Sequence, residues 1–168
     1  MRVADVTLNE LSRRVGLAKS NVLRYFPSRE AVLLQLLDRE TRGWLDDVEA
    51  RIVAGAAEGF AGAAGGDERL AAAIADCASA RPVFCDLTAS SAGVLERNVS
   101  GEVAAEYKRA SLASSDRLAR LAGFDGLDSP AGLLFVGAVM LAVGGVWATS
   151  QPTEGMRAAY AQHPEFRP

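Results

Sequence analysis

The side chains best suited to chemistry lie together between positions 19 and 29. Lys19, Ser20, Asn21, Arg24, Tyr25 and Arg29 are all hydrogen-bond donors, and three of them are permanently cationic. Asn21 has the amide geometry for a bidentate contact to adenine, and Lys19 suits guanine or a phosphate. Tyr25 can donate its hydroxyl to a phosphate oxygen, and Arg29 falls where a following helix would begin and its dipole favours an anion. This is chemistry for holding and reading a polyanion, not for breaking bonds. The rest of the reactive inventory is thin: one histidine, His163, and two cysteines, Cys77 and Cys85, with no CxxC. That set offers no zinc site of the usual spacing and no serine–histidine triad. No catalytic residue, metal or cofactor is therefore expected, and both cysteines read as small buried apolar side chains.

The cluster needs elements to present it. Thr7-Leu8-Asn9-Glu10 forms a capping box, with Leu8, Leu11 and Val15 following at helical spacing. Gly16 ends that segment as a left-handed cap. The next helix starts near Ala18 or Lys19 and stops by Phe26, because Pro27 disfavours helix in the residue before it. Val22, Leu23 and Phe26 form its expected buried side. Two short helices joined by a tight turn, the second with a polar outer face, make a helix-turn-helix. Two short helices that merely pack together remain the alternative.

Charge separates the chain into unlike parts. Residues 1–29 hold six basic and two acidic side chains, whereas residues 30–168 hold twelve basic and nineteen acidic ones, for a total of −3. A basic head on an acidic body fits a nucleic-acid-binding module carried by a body that does not bind nucleic acid. With 31 alanines and few aromatic residues the composition favours helix. The fold class expected is all-α, an N-terminal helix-turn-helix followed by a helical bundle. The boundaries expected are 1–38 for the head and 39–168 for the body. No G-x-G-x-x-G or P-loop string occurs. Met1 to Val6 is too short and polar for a signal peptide, which with the cysteines fits a cytoplasmic protein.

The run from Thr7 to Leu33 resembles the DNA-binding region of the TetR family of bacterial transcriptional regulators. Gly16 matches the family's turn glycine, Tyr25-Phe26 its aromatic pair, and Arg29-Glu30 its basic–acidic pair. The resemblance puts Tyr25 and Arg29 at phosphate-contacting positions and Lys19, Ser20 and Asn21 where bases are approached. Leu23 departs from a common tyrosine, and Arg24 is expected to supply that contact. The family normally has a further helix of some 15 residues before the helix-turn-helix. Only six residues precede Thr7, so that helix is expected to be missing here. By resemblance the chain is a dimeric repressor, released from a palindromic double-stranded operator by a small-molecule effector. The rival readings are a helical-bundle enzyme and a protein-interaction or membrane-associated module without DNA binding.

The body's expected elements follow from caps and periodicity. Ser28 caps a helix, or a pair broken near Arg39, that runs to about Ala54 with Leu33, Leu37, Trp44, Val48 and Ile52 on one face. Gly55 to Gly66 reads as a frayed end and loop. Helices are expected from Asp67 to Ala80 and from Pro82, then from Ser100 to Ala122, with Val103, Tyr107, Leu112 and Leu118 apolar. A short helix or turn fills 93–100, Gly123 to Gly126 is a break, and a last short helix spans Thr153 to Ala161. The tail from His163 is expected to be irregular. Ser129-Pro130 opens an uncharged helix to Ser150, which reads as a membrane span, a buried core helix, or a core helix that also forms a dimer seam. Its glycines dilute a membrane signal, so no membrane partner is expected. Leu134, Ala138, Leu141, Ala142 and Gly145 are the seam candidates. Candidate walls of an effector pocket are Trp44, Phe84, Cys85, Tyr107, Phe135 and Met140, with Phe60 and Trp147 beside them. Few interior charges are expected, which favours an apolar effector over an anionic one.

Overall fold

The computed structural model describes residues 3–14, 16, 18–57 and 66–166. Val15, Phe60 and most of the Gly/Ala loop lie outside them. Among the described residues the chain is all-α, with no strand. Eight α-helices run in order: α1 (Leu8–Arg14), α2 (Lys19–Tyr25), α3 (Arg29–Ala57), α4 (Gly66–Ser79), α5 (Pro82–Ser90), α6 (Gly101–Leu121), α7 (Pro130–Ser150) and α8 (Glu154–Gln162). A π-helical turn over Ser91–Leu95 and a 3-10 turn over Glu96–Asn98 join α5 to α6.

Local chemistry explains most boundaries. The Thr7 hydroxyl accepts the Glu10 N–H at 3.2 Å, the Ser28 hydroxyl that of Ala31 at 3.1 Å, and the Ser100 hydroxyl that of Val103 at 3.4 Å. Ser129 and Thr153 do the same for α7 and α8. Each cap satisfies a donor that the helix itself leaves open. Gly16 takes φ +68°, a left-handed conformation that favours glycine, between the first two helices. Phe26 is extended ahead of Pro27. The tail is more regular than expected, with a 3-10 turn at Pro164–Phe166.

The long helix α3 is unbroken at Arg39 and forms the axis of the fold. Its Leu33, Leu34, Leu37, Trp44, Leu45 and Val48 are almost wholly buried. They meet Ile74 and Cys77 of α4, Phe84 and Leu87 of α5, and Leu118 of α6 in one apolar core. Trp44 stacks on Phe84 with ring centroids 4.9 Å apart. Ion pairs lie over this core: Arg117 of α6 reaches Asp46 and Glu49 of α3, and Arg81 reaches Glu40 and Asp47. Exposed pairs of this kind each contribute ~0–1 kcal/mol, so burial dominates.

Helix α7 rests on α5 along a narrow strip of small residues. A Cβ on Gly144 would lie 3.3 Å from the Ala89 Cα, so the two backbones approach closely there. Only Gly132, Val136 and Gly144 of α7 are buried. The core-helix reading of this segment therefore covers one face of it, not the whole.

Candidate nucleic-acid interface and regulatory core

Helix α2 is anchored through one side and open on the other. Val22 is buried, and Phe26 is half-buried at the end of the helix. Lys19, Ser20, Asn21, Arg24 and Tyr25 are all exposed. None of these five side chains makes a hydrogen bond or ion pair with the described residues. Leu23 is also exposed, although the apolar pattern assigned it to the buried side. Position 23 thus belongs to the outward face where the resemblance placed it.

Arg29 is positioned differently from its neighbours. Its guanidinium donates to the carbonyls of Val6 and of Val3, the latter at 2.7 Å, and to Glu30 at 3.0 Å. The side chain is mostly buried and ties the N-terminal turn, Val3–Asp5, to the start of α3. That turn is held at a second point. The Val3 N–H donates to Asp86 Oδ2 at 2.5 Å, and the Trp147 indole N–H donates to Asp86 Oδ1 at 3.2 Å. One carboxylate on α5 therefore links the N-terminal segment to α7. No spacing in the sequence pointed to this contact, because its partners are 83 and 61 residues apart.

The body holds a small, partly open cavity of about 40 Å³ between α3, α5, α6 and α7. Of the six expected pocket residues, Trp44, Tyr107 and Met140 line it. The other three lie elsewhere. Phe84 is buried beneath Trp44, Phe135 packs on Phe124 at 5.6 Å, and the Cys85 thiol donates to the Ala78 carbonyl at 3.2 Å. Burial, and then the Asp86 charge, push that thiol upward, so it stays protonated. The remaining lining is hydroxyl-rich, with Thr41, Thr88 and serines 91, 111, 114 and 115, together with the Asp38 carboxylate. An aromatic inventory missed these residues, and the helical spacing of the serines in α6 was the available signal. The lining is more polar than the expected apolar effector would need. The Tyr107 phenol is pushed up to about 12 by burial and by Glu96 and Asp38, against an opposing hydrogen bond with Ser111.

The seam candidates share one face of α7. Leu134, Ala138, Leu141, Ala142 and Gly145 are all exposed and follow one another at helical spacing, opposite the strip that rests on α5. Leu133 and Val146 widen the apolar surface. By length and composition α7 is the one helix among the described residues apolar enough to cross a membrane.

No protein of curated function matches the chain closely enough to count as a relative. Residues 38–168 match a family described as the tetracyclin repressor-like C-terminal domain. That match takes in the body from within α3 onward, including the cavity and α7, and the family consists of regulators rather than enzymes. The chain belongs to the TetR-type regulators.

Proposed function

We propose that this regulator is a dimeric, operator-binding repressor whose hold on DNA is released by a small molecule. The observation that carries the reading is the outer face of α2, where five polar side chains project with no partner among the described residues. A folded protein that leaves so many donors aligned on one short helix has a surface suited to the major groove. In this reading Lys19, Ser20 and Asn21 approach base edges, while Arg24 and Tyr25 bind phosphates. Arg29 acts indirectly by fixing the N-terminal turn. The head comprises 1–38 and the body 39–168.

A single recognition helix covers only a few base pairs, so operator binding at useful affinity requires two heads related by symmetry. The apolar face of α7 supports pairing with a second copy. It is large and contiguous, unlike the scattered apolar residues of an ordinary surface. The effector occupies the cavity among α3, α5, α6 and α7, and acts by binding one dimer state better than the other. The working location is the cytoplasm, where the DNA is.

The test is binding of the purified protein to duplex DNA from just upstream of its own gene, over a range of salt concentrations. A regulator's affinity falls steeply with salt as phosphate counterions are released. Asn21→Ala and Tyr25→Ala weaken it without changing the melting temperature. Salt-independent or absent binding refutes the proposal. Partition of the protein into detergent micelles in place of DNA binding would favour the membrane-associated reading of α7.

A further inference from the structure

The hydroxyl-lined cavity has a chemical bias that its lining residues define. The Thr41 hydroxyl donates its proton to the Leu37 carbonyl at 2.8 Å, and the Ser91 hydroxyl donates to the Thr88 carbonyl at 3.0 Å. Each hydroxyl has one proton, so both oxygens have only lone pairs left to offer. Asp38 Oδ2 accepts from Arg42 at 2.6 Å, and Oδ1 has no partner among the described residues. Arg42 is mainly in solvent, where water screens its charge. Among the described residues no lysine, arginine or histidine lines the cavity.

Thr88 supplies an independent observation. Its hydroxyl oxygen is shut off from solvent and has no hydrogen-bond partner among the described residues. Orphaned buried hydroxyls are costly and uncommon, and because Thr88 belongs to the cavity wall, a small shift of that wall would bring its oxygen within reach of a guest. Ser114 and Ser115 keep a proton to give, but an anion would also meet the Asp38 carboxylate, with no cation among the described lining residues to offset it. A purely apolar guest would leave Thr88 unsatisfied.

The surroundings indicate how such a guest could extend. Asp38 and Tyr107 also line a second space, a cleft of about 150 Å³ between the head and α6. Its other walls include Tyr25, Phe26, Pro27, Leu34 and Val103. The cavity alone has room for a few atoms, and swinging the Tyr107 ring would join it to this partly aromatic cleft, whose walls also carry Gln35 and the Glu106 carboxylate. A ligand reaching across would touch Tyr25 and Phe26 at the end of the recognition helix.

We infer that the effector is a small organic amine, whose ammonium donates to Asp38, Thr88 and the hydroxyl oxygens while an apolar or aromatic tail fills the cleft behind Tyr107. This rests on the repressor reading for its consequence, though not for its chemistry. An ammonium has three donors and no acceptor, which complements the open oxygen of Asp38 and the lone pairs of the surrounding hydroxyls. Aromatic walls favour a cation and a ring alike. The tail's position gives the ligand a direct contact with the head, and so a means to favour one head orientation.

Calorimetric titration of the intact protein with 2-phenylethylamine, 2-phenylethanol and phenylacetate tests the assignment. The amine should bind roughly tenfold to hundredfold more tightly than the alcohol, the difference that a charge-assisted hydrogen bond makes. The carboxylate should not bind. Asp38→Asn should abolish the preference for the amine. Thr88→Val should raise the melting temperature, because it removes an orphaned hydroxyl, and yet weaken the amine several-fold. A residue with only a structural role would not produce that opposition. Equal binding of amine and alcohol, amine binding indifferent to Asp38→Asn, or no amine binding overturns the assignment. Operator DNA is assayed separately. Amine binding that leaves DNA affinity unchanged upholds the ligand class and refutes release by it, whereas a free protein that ignores DNA refutes the repressor reading alone.

Discussion

Tyr25 on α2 and Leu141 on α7 are almost equally bare, 77% and 78% exposed, yet their surroundings are opposite. Around Tyr25 stand Lys19, Asn21 and Arg24, and the uncovered surface is polar and positively charged. Around Leu141 stand Leu134, Ala138, Ala142 and Gly145, and 21 residues of helix pass without a charge. Water satisfies the first surface well, so nothing forces a partner on it. Water satisfies the second poorly, and burying each leucine there is worth about 1.5–3 kcal/mol. The α2 face thus offers specificity without urgency, and the α7 face offers a driving force with little specificity. The proposed repressor would use both, the apolar face to pair its subunits and the polar face, left free, to meet DNA.

The largest effect comes from damaging the α7 face and reading the result at α2. Leu134→Asp combined with Leu141→Asp places two carboxylates where a second apolar helix would lie. Sedimentation should show the wild-type chain as a dimer and the double variant as a monomer of unchanged helicity. Operator affinity should then fall by about 10²–10⁴-fold, the range lost when two linked heads become independent. A double variant that stays dimeric, or that binds the operator as well as before, would break the division of labour between the faces.

The converse experiment changes α2 and leaves α7 alone. Asn21→Ala removes one side chain that has no partner among the described residues, so stability should hold. Operator affinity should drop roughly 10–100-fold, matching about 1–3 kcal/mol for a lost bidentate base contact. The loss should shrink on operators altered at the contacted base pair, and the salt dependence should not change, because no phosphate contact is removed. A comparable loss on random duplex would mean that position 21 does not read sequence.

The sequence reading succeeded where cause and effect are close together. Caps at Thr7, Ser28 and Ser100, the Ser129-Pro130 start, and breaks at Gly16, Pro27 and Gly123 depend on neighbours no more than three or four residues away; Thr153, read only as the first residue of a short helix, proves to be a cap as well. Exposure was harder. Leu23, Val83 and Leu112 fit an apolar stripe, but each lies in the open because no second helix comes to cover it. Periodicity says which residues share a face and not which face finds a partner. The long-range contacts were beyond reach for the same reason. Asp86 joining Val3 to Trp147, and the hydroxyls of three helices meeting around one cavity, depend on how whole elements dock. The charge split between head and body was legible because it needs no geometry.

Two glycines on α7 separate its faces at finer resolution. Gly132 lies on the inner side, where an added Cβ would sit 2.3 Å from the Gly126 carbonyl oxygen. That oxygen belongs to a backbone fixed by the left-handed Gly126, at φ +75°, and by the Leu127 N–H held at 3.0 Å by Asp116. It cannot easily move. Gly132→Ala should therefore cost about 1–3 kcal/mol as overpacking, despite alanine's better helix propensity. Differential scanning calorimetry would register this as a fall of roughly 2–9 °C, taking ~2–3 °C for each kcal/mol in a chain of this size.

The smallest effect is the most diagnostic. At Gly145 an added Cβ meets nothing within 4 Å among the described residues. If the α7 face stood free in solution, Gly145→Ala should stabilise the helix by up to about 1 kcal/mol, as alanine does for an exposed helical glycine. If a second α7 packs closely there, the same methyl group intrudes between two backbones. The dimer should then dissociate at higher protein concentration while the dissociated chain melts later than wild type. Sedimentation across a dilution series, paired with melting curves at each concentration, would read both quantities from one sample. Opposite signs for the two would place Gly145 in the seam, whereas a stabilised chain with unchanged association would place the contact along the Leu134 end of the helix.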